Sequence, residues 1–426
     1  MLRRLASMFT YFMRHYLPDA YLFAILLTFL SAVLALIFTP TDIMKMIVAW
    51  GNGIYGIVAF AMQMILVLVT GHCLALSPAV KRVLVWIAGR GDTPIKAGMI
   101  VSFVAAVASW LSWGFGLIVG GLLALEIAKR TKKVDYPYLI AAGYSGFVVW
   151  HQGLSGSIPL VIATSKHAQN FIEKVTGAPV PVADTIFASY NVIAALLIIF
   201  TLPVLYALIH PKEEEVQEIS GDKLKEIADE TVFVERPAEP TLAERIDHSY
   251  AINIVIFLFF ILGVLFHGKP VNYIKAVNTA IKGAGGIALQ FPLYGGIQGI
   301  MIGTGLGKVI ATWFVAISTP VTFYMLQFWA AGIINMFVPS GGGQWLVQGP
   351  ITIEAANTMG IDMTRSAMMV AWGDQWTNMI QPFWALPLLG LAGLSARAVM
   401  GYTTMTLLWS GAILSAIALL MGMRIM

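Results

Sequence analysis

Two stretches of this 426-residue chain are apolar for well over thirty residues, yet neither reads as a single membrane helix. Residues 97–130 are interrupted by Ser112-Trp113-Gly114-Phe115-Gly116, and residues 321–357 by Pro339-Ser340-Gly341-Gly342-Gly343-Gln344-Trp345. A span needs about 20 apolar residues to cross a core of about 30 Å, and each arm of the first stretch, at about 12 to 15 residues, reaches roughly 20 Å as helix. The arms therefore predict re-entrant hairpins. Backbone that leaves a helix at membrane depth is tolerated only where protein or a watery cavity meets it. Two further apolar stretches, 136–168 and 364–396, are broken by polar clusters at 150–157 and 374–382. Discontinuous segments in corresponding halves of a chain point to a transport site.

The remainder suits a membrane interior. Hydrophobic residues make up 58% of the chain and charged residues 11%, where a soluble domain carries about 25% charged residues. Further candidate spans are 20–38, 50–76, 185–209, 250–266, 284–303 and 400–422. The one cysteine, Cys73, excludes a disulfide framework and any multi-cysteine metal site. No Walker A loop, dinucleotide fingerprint, HExxH or GxSxG motif occurs. The bases read as membrane anchors, so no nucleic-acid partner is expected. The basic, amphipathic start, MLRRLASMFTYFMRHYLPDAY, runs into a full-length apolar segment without a cleavage site and predicts a retained signal anchor.

A shift of 226 to 228 residues aligns the two halves. It pairs Gln63 with Gln290, Lys81 with Lys308, Thr93-Pro94 with Thr319-Pro320, Ser112 with Ser340, Asp135 with Asp362 and Gly146 with Gly373. It also pairs Glu126 with Glu354, two of only three glutamates outside residues 210–249. Those forty residues hold 12 of the 22 acids and read as a solvated cytoplasmic connector. Window 81–133 carries eight Lys or Arg, while the matching window 308–360 carries only Lys308. That asymmetry places the two windows on opposite sides of the membrane. The expected architecture is an all-α polytopic membrane protein of two inverted-topology repeats, 1–209 and 250–426, separated by the connector 210–249. Each repeat would hold a re-entrant hairpin (97–130, 321–357) and a broken transmembrane helix (136–168, 364–396). Inversion demands an odd number of crossings per repeat, so one more is expected within 39–96 and its mate, 268–320.

The interruptions carry the chemistry. Consecutive glycines let a ligand approach the main chain, and the helix N-terminus that follows offers free N–H donors and a positive dipole end. The tips Ser112, Trp113, Gly114 and Ser340, Gly341, Gly342, Gly343, Gln344, Trp345 therefore form a candidate anion site that needs no arginine. The breaks contribute His151, Gln152, Ser155 and Ser157 from one half, and Thr377 and Asn378 from the other. A proline just beyond each cluster, Pro159 and Pro382, suits an unwound helix. Asp374, an acid flanked by apolar sequence, is a functional candidate by default: a cation ligand, a proton carrier, a partner for His151, or an acid bracing the break. Glu126 and Glu354, at the ends of the inner arms, are further ion-coupling candidates, and capping or snorkelling fits them too.

At these breaks the sequence resembles a known family. DYPYLIAAGYSGFVVWHQGLSGSIPL (135–160), FVPSGGGQWLVQGPI (337–351) and AWGDQWTNMIQPFWALPLLG (371–390) are similar to the bacterial short-chain fatty acid transporters, which include acetoacetate and butyrate permeases. The resemblance covers both repeats and leaves out the connector. It implies secondary active transport of small monocarboxylates across the bacterial inner membrane, by homodimers of inverted repeats that work as elevators. The coupling cation would be H+ or Na+, with no cofactor and no resident metal. The carboxylate would meet Ser112, Ser340 and Gln344, and the short tail Trp113 and Trp345. At the tips, Ser-Trp-Gly and Ser-Gly-Gly stand where superfamily relatives often carry Ser-Asn-Thr. The alternatives are a dicarboxylate or other organic-anion symporter, a channel, and a membrane-embedded transferase with His151 and Asp374 as acid and base. A transferase predicts one polar cluster; the mirrored clusters favour a transporter over an enzyme.

Overall fold

The structure, a computed structural model, describes residues 1–58, 61, 62, 65, 66, 69, 77–221, 224, 269, 271, 272, 275 and 285–425. The expected span 250–266, Gln63, Cys73 and most of the connector lie outside the described residues. Among those described, every regular element is helical. Helices are numbered here in chain order.

The N-terminal arm forms α1 (Leu2–Tyr16), and α2 (Ala20–Phe38) starts where the Asp19 carboxylate accepts from Tyr21 N at 3.0 Å. Nineteen residues span about 28 Å, close to the hydrocarbon thickness. Helices α3 (Ile43–Gly56) and α4 (Pro78–Ala88) precede the first hairpin, α5 (Pro94–Leu111) and α6 (Trp113–Ala128). Thr93 caps α5 by accepting from Lys96 N, with Pro94 in the first turn, where its missing N–H costs nothing. Ser112 alone separates α5 from α6, in extended conformation. The two arms touch through Gly116, where any side chain would strike Ser109.

The first broken helix runs from α7 (Tyr136–Ser145) through a 3-10 segment (Gly146–Gln152) and a turn into α8 (Ser157–Ala163). Gly146 makes the crossing of α5 possible, since a Cβ there would overlap the backbone of Ala105 and Ala106. The short α9 (Phe171–Thr176) leads to the long α10 (Ser189–Ile209). The first described residues of the connector fold back. Asp135, which caps α7 through Tyr138 N at 2.7 Å, accepts from Gln217 N at 2.9 Å, and Ser7 of α1 donates to Glu215 at 3.1 Å.

In the second half, α11 (Gly285–Gly303) and α12 (Leu306–Ala316) form a pair bent by 60°, with Gly305 between them at φ +78. Such a φ suits glycine because it has no Cβ to clash. The hairpin α13 (Phe323–Asn335) and α14 (Gly341–Thr358) is followed by α15 (Met363–Thr377). That helix breaks into 3-10 turns at Asn378–Ile380 and Phe383–Ala385 before α16 (Leu386–Ala392), and α17 (Ala396–Gly422) closes the chain. Residues paired by the sequence shift hold like places. Ser112 (φ −157, ψ 121) and Ser340 (φ −151, ψ 114) are both extended N-caps of a hairpin's second arm. Asp135 and Asp362 cap α7 and α15, and Gly146 and Gly373 carry each broken helix over the first arm of its hairpin.

Five described helices are long and apolar enough to cross a membrane: Ala20–Phe38, Pro94–Leu111, Tyr136–Ala163, Ser189–Ile209 and Ala396–Gly422. The bent pair of α11 and α12 supplies a sixth if counted as one span. Windows 39–96 and 268–320, where an additional crossing was expected, thus contain α3 and α4 in one and the bent pair in the other.

Candidate functional site

His151 is the penultimate residue of the 3-10 segment and is wholly buried, as is Asp374 one turn before the end of α15. Their side chains meet, with Nδ1 of His151 2.9 Å from Oδ2 of Asp374. The other ring nitrogen is also engaged: Ile158 N donates to Nε2 at 3.0 Å, and the Ser157 hydroxyl lies at the same distance. A backbone N–H can only donate, so Nε2 accepts, and the ring proton sits on Nδ1, pointing at Asp374. Trp150 stacks on the imidazole with ring centres 4.0 Å apart. Among the described residues, no donor reaches the second carboxylate oxygen, Oδ1, although it is buried.

A single amide locks the break to α15. Oε1 of Gln375 accepts from His151 N at 2.8 Å and Gln152 N at 3.2 Å, while its Nε2 donates to Gln152 Oε1 at 2.9 Å. In a 3-10 segment these N–H groups have only the poorer i−3 bonds of that geometry, and the Gln375 oxygen gives each a second acceptor. Behind it, Asn191 donates to Gln152 O and accepts from the Trp372 indole, both at 2.9 Å.

Both hairpin tips converge on the first break. Trp113 N, in the tip after Ser112, donates to Ser155 Oγ at 2.9 Å, and Leu154 N donates to Trp110 O at 2.9 Å. The Trp113 ring stands edge-on to Trp384 at 5.4 Å. From the second tip, Gly341 rests against Ser157 and the His151 ring, and Gly343 against the Gln298 amide, whereas Gly342 faces open space. Ser340 caps α14 by accepting from Gly343 N.

The expected site residues thus divide. His151, Asp374, Ser157, Ser155, Trp113 and Gly341 form one assembly, with Gln152 behind it, Gly114 buried in the first tip and Ser340, Gly342 and Gly343 in the second. Gln344 turns its amide to Ala331 O at 2.7 Å and towards Gln348. Trp345 is fully buried, its indole donating to Gln169 O at 2.8 Å and its ring beside Phe171. Thr377 and Asn378 bond Asn335 of α13. Glu126 pairs with Lys129 at 2.7 Å, at the end of α6 remote from the tip, and Glu354 is exposed on α14. Among the described residues, no cluster of three or more His, Cys, Asp or Glu could hold a metal.

Sequence reasoning passed over Gln375, Asn191 and Gln298. Asn191 offered the clearest signal, a lone amide near the start of an otherwise apolar 21-residue helix.

Helices of membrane length surrounding a buried polar break define a multi-pass membrane protein. A family profile described as "Short chain fatty acid transporter" matches residues 1–252 and 248–421. An Escherichia coli (strain K12) relative is 40% identical over 97% of this chain and 98% of its own length. One from Haemophilus influenzae (strain ATCC 51907 / DSM 11121 / KW20 / Rd) is 36% identical over 97% and 98%. Both carry the name "Putative short-chain fatty acid transporter". The chain belongs to the short-chain fatty acid transporter family, and is a transporter rather than an enzyme. Among solved structures, it is similar to the Alcanivorax borkumensis YdaH transporter, with a TM-score of 0.44 and 16% identity over 96% of this chain and 99% of that one. Neisseria gonorrhoeae MtrF gives a TM-score of 0.43 and 14% identity, covering 97% of each chain.

Proposed function

We propose that this protein is a proton-coupled symporter of short-chain monocarboxylates such as butyrate or acetoacetate, set in the bacterial inner membrane. The observation that carries this reading is the buried His151–Asp374 pair beneath the glycine tip of the second hairpin. A neutral imidazole holds one oxygen of Asp374, and the other has no donor among the described residues. A proton on that oxygen cancels the carboxylate charge when the substrate anion arrives, so the loaded and empty sites carry the same net charge. Neither leg of the cycle then moves an extra uncompensated charge through a low-dielectric interior, where such a charge is costly.

The substrate carboxylate would lie between the tips and the first break, against the Gly341–Gly343 backbone, Ser112, Ser340 and Ser157, with its tail towards Trp113. Inverted repeats are supported by the uneven distribution of bases. The homodimer and elevator-like movement rest on the family resemblance, and they complete the proposal.

The test is uptake of radiolabelled butyrate into proteoliposomes under an imposed pH gradient, beside an imposed Na+ gradient. Accumulation should follow the pH gradient and be competed by acetoacetate more strongly than by succinate or citrate. Asp374→Asn should lose accumulation and retain counterflow exchange. A variant that accumulates butyrate as the wild type does removes Asp374 from coupling, and accumulation that follows only Na+ replaces the coupling ion.

A further inference from the structure

Beside the second hairpin tip, α3 and α11 line an open cavity of about 750 Å³. The two helices meet through glycines: a side chain on Gly53 or Gly299 would collide with the opposing backbone. Above that seam the walls part. Val48 and Ile302 give the cavity an apolar side, and Lys45, Asn52, Gln298 and Ser340 a polar one. Lys45 and Asn52 are exposed at its rim, while Gln298 and Ser340 are partly covered.

Three observations together say what the cavity takes. First, its position: α1 packs beside the connector, and α2 runs from there to Phe38, so Lys45, near the start of α3, lies at the opposite face. Second, its charge: among the described residues, the only ionisable group in the lining is the Lys45 ammonium, held by Asp42 at 3.3 Å. Both partners are exposed, and pairs of this kind are weak and readily exchanged. The amides of Asn52 and Gln298 make no hydrogen bond among the described residues, which leaves their N–H groups available to an anion. Third, its far wall: the Gln298 amide abuts Gly343, and two residues earlier Gly341 abuts His151. A few tip residues, three of them without side chains, separate this cavity from the buried pair.

We propose that the cavity is an antechamber that binds the monocarboxylate, arriving from the face opposite the connector, before the tip admits it to the His151–Asp374 site. The carboxylate takes Asn52 and Gln298 N–H donors and the Lys45 ammonium, and the short alkyl tail lies along Val48 and Ile302. A cavity of this volume is many times larger than a four-carbon acid, so it collects a hydrated anion, and close selection falls to the site beyond. This inference rests on the monocarboxylate reading above.

The experiment replaces Cys73, the chain's single cysteine, with Ala and introduces Asn52→Cys in the full-length protein in oriented vesicles. Labelling by a membrane-impermeant maleimide should occur from one face only, and butyrate should slow it in a saturable way. Tyr55→Cys, whose parent side chain is 81% exposed and outside the cavity lining, should label at the same rate with or without butyrate. Adding Gln298→Leu should raise the half-protecting butyrate concentration by about tenfold, the effect of one lost hydrogen bond to a charged group. Wild-type uptake of butyrate in the same vesicles separates the two readings. Uptake without protection overturns the antechamber alone, and protection without uptake keeps the site while removing butyrate transport. Protection by long-chain acyl compounds but not by butyrate makes the cavity a lipid site and overturns the proposal.

Discussion

Gly341 lies so close to the imidazole of His151 that a Cβ at residue 341 would stand 2.6 Å from Cε1. The second hairpin is thereby in register with a break more than 180 residues earlier in the chain, through a position that tolerates no side chain. Its neighbour Gly342 has nothing within 4 Å of where its Cβ would be. Gly341→Ala should cut butyrate uptake by about tenfold or more, as expected for forcing a methyl group into a closed contact. Gly342→Ala should fold and transport within about twofold of wild type, since no overpacking term applies. Equal uptake by the two variants would show that the tip does not close on His151 during transport.

Gln375 accepts two backbone N–H groups with one oxygen. Gln375→Leu keeps similar bulk but removes this acceptor and the bond to the Gln152 amide, which predicts a loss of stability of about 1 kcal/mol or more. Thermal unfolding in detergent should shift down by several degrees relative to the wild type. A leucine variant as stable as wild type is the outcome that discards this role.

Ser155 receives the Trp113 N–H at the first tip. Ser155→Ala removes that acceptor and loosens the tip, and a neutral hydrogen bond of about 1 kcal/mol predicts a KM for butyrate raised several-fold. Ser155→Thr retains the hydroxyl and should restore the KM. If alanine and threonine behave alike, the hydroxyl does not position the tip.

His210, immediately after α10, gives a pH dependence outside the spanning segments. Burial, reinforced by the nearby Arg3 guanidinium, holds its imidazole below the ordinary value near 6.5. The unfolded chain therefore binds a proton more readily than the folded one, and stability falls as pH drops through 6.5 towards the lowered value. The wild type should lose more thermal stability than His210→Gln between about pH 7 and about pH 5. Parallel curves for the two proteins would fail this expectation.

Much of the candidate site is legible in the sequence because lipid makes polar backbone conspicuous. The tip serines stand in the sequence as interruptions, and they recur as N-caps of matched helices. Asp374 and His151 were visible for the same reason, as ionisable groups in apolar surroundings. What spacing could not supply was direction. Gln344 and Trp345 belong to the glycine-rich string, but one turn of helix swings their side chains away from the tip, to Ala331 and to Gln169. Glu126 drew notice as a membrane acid, yet a base one turn later claims it. Gln375 escaped because it stands beside the more unusual Asp374, and its importance comes from the two donors it finds 223 and 224 residues away.

That last separation has a consequence for how the protein is made. When the ribosome has delivered residues 150–157, the break already exists, but its acceptor at residue 375 has not been translated. Until α15 arrives, the His151 ring and the Gln152 amide of the first half have none of the partners that α15 gives them. A chain that stops before residue 374 leaves the His151 imidazole without Asp374 and the Gln152 amide without Gln375, a polar mark by which membrane quality control can recognise it.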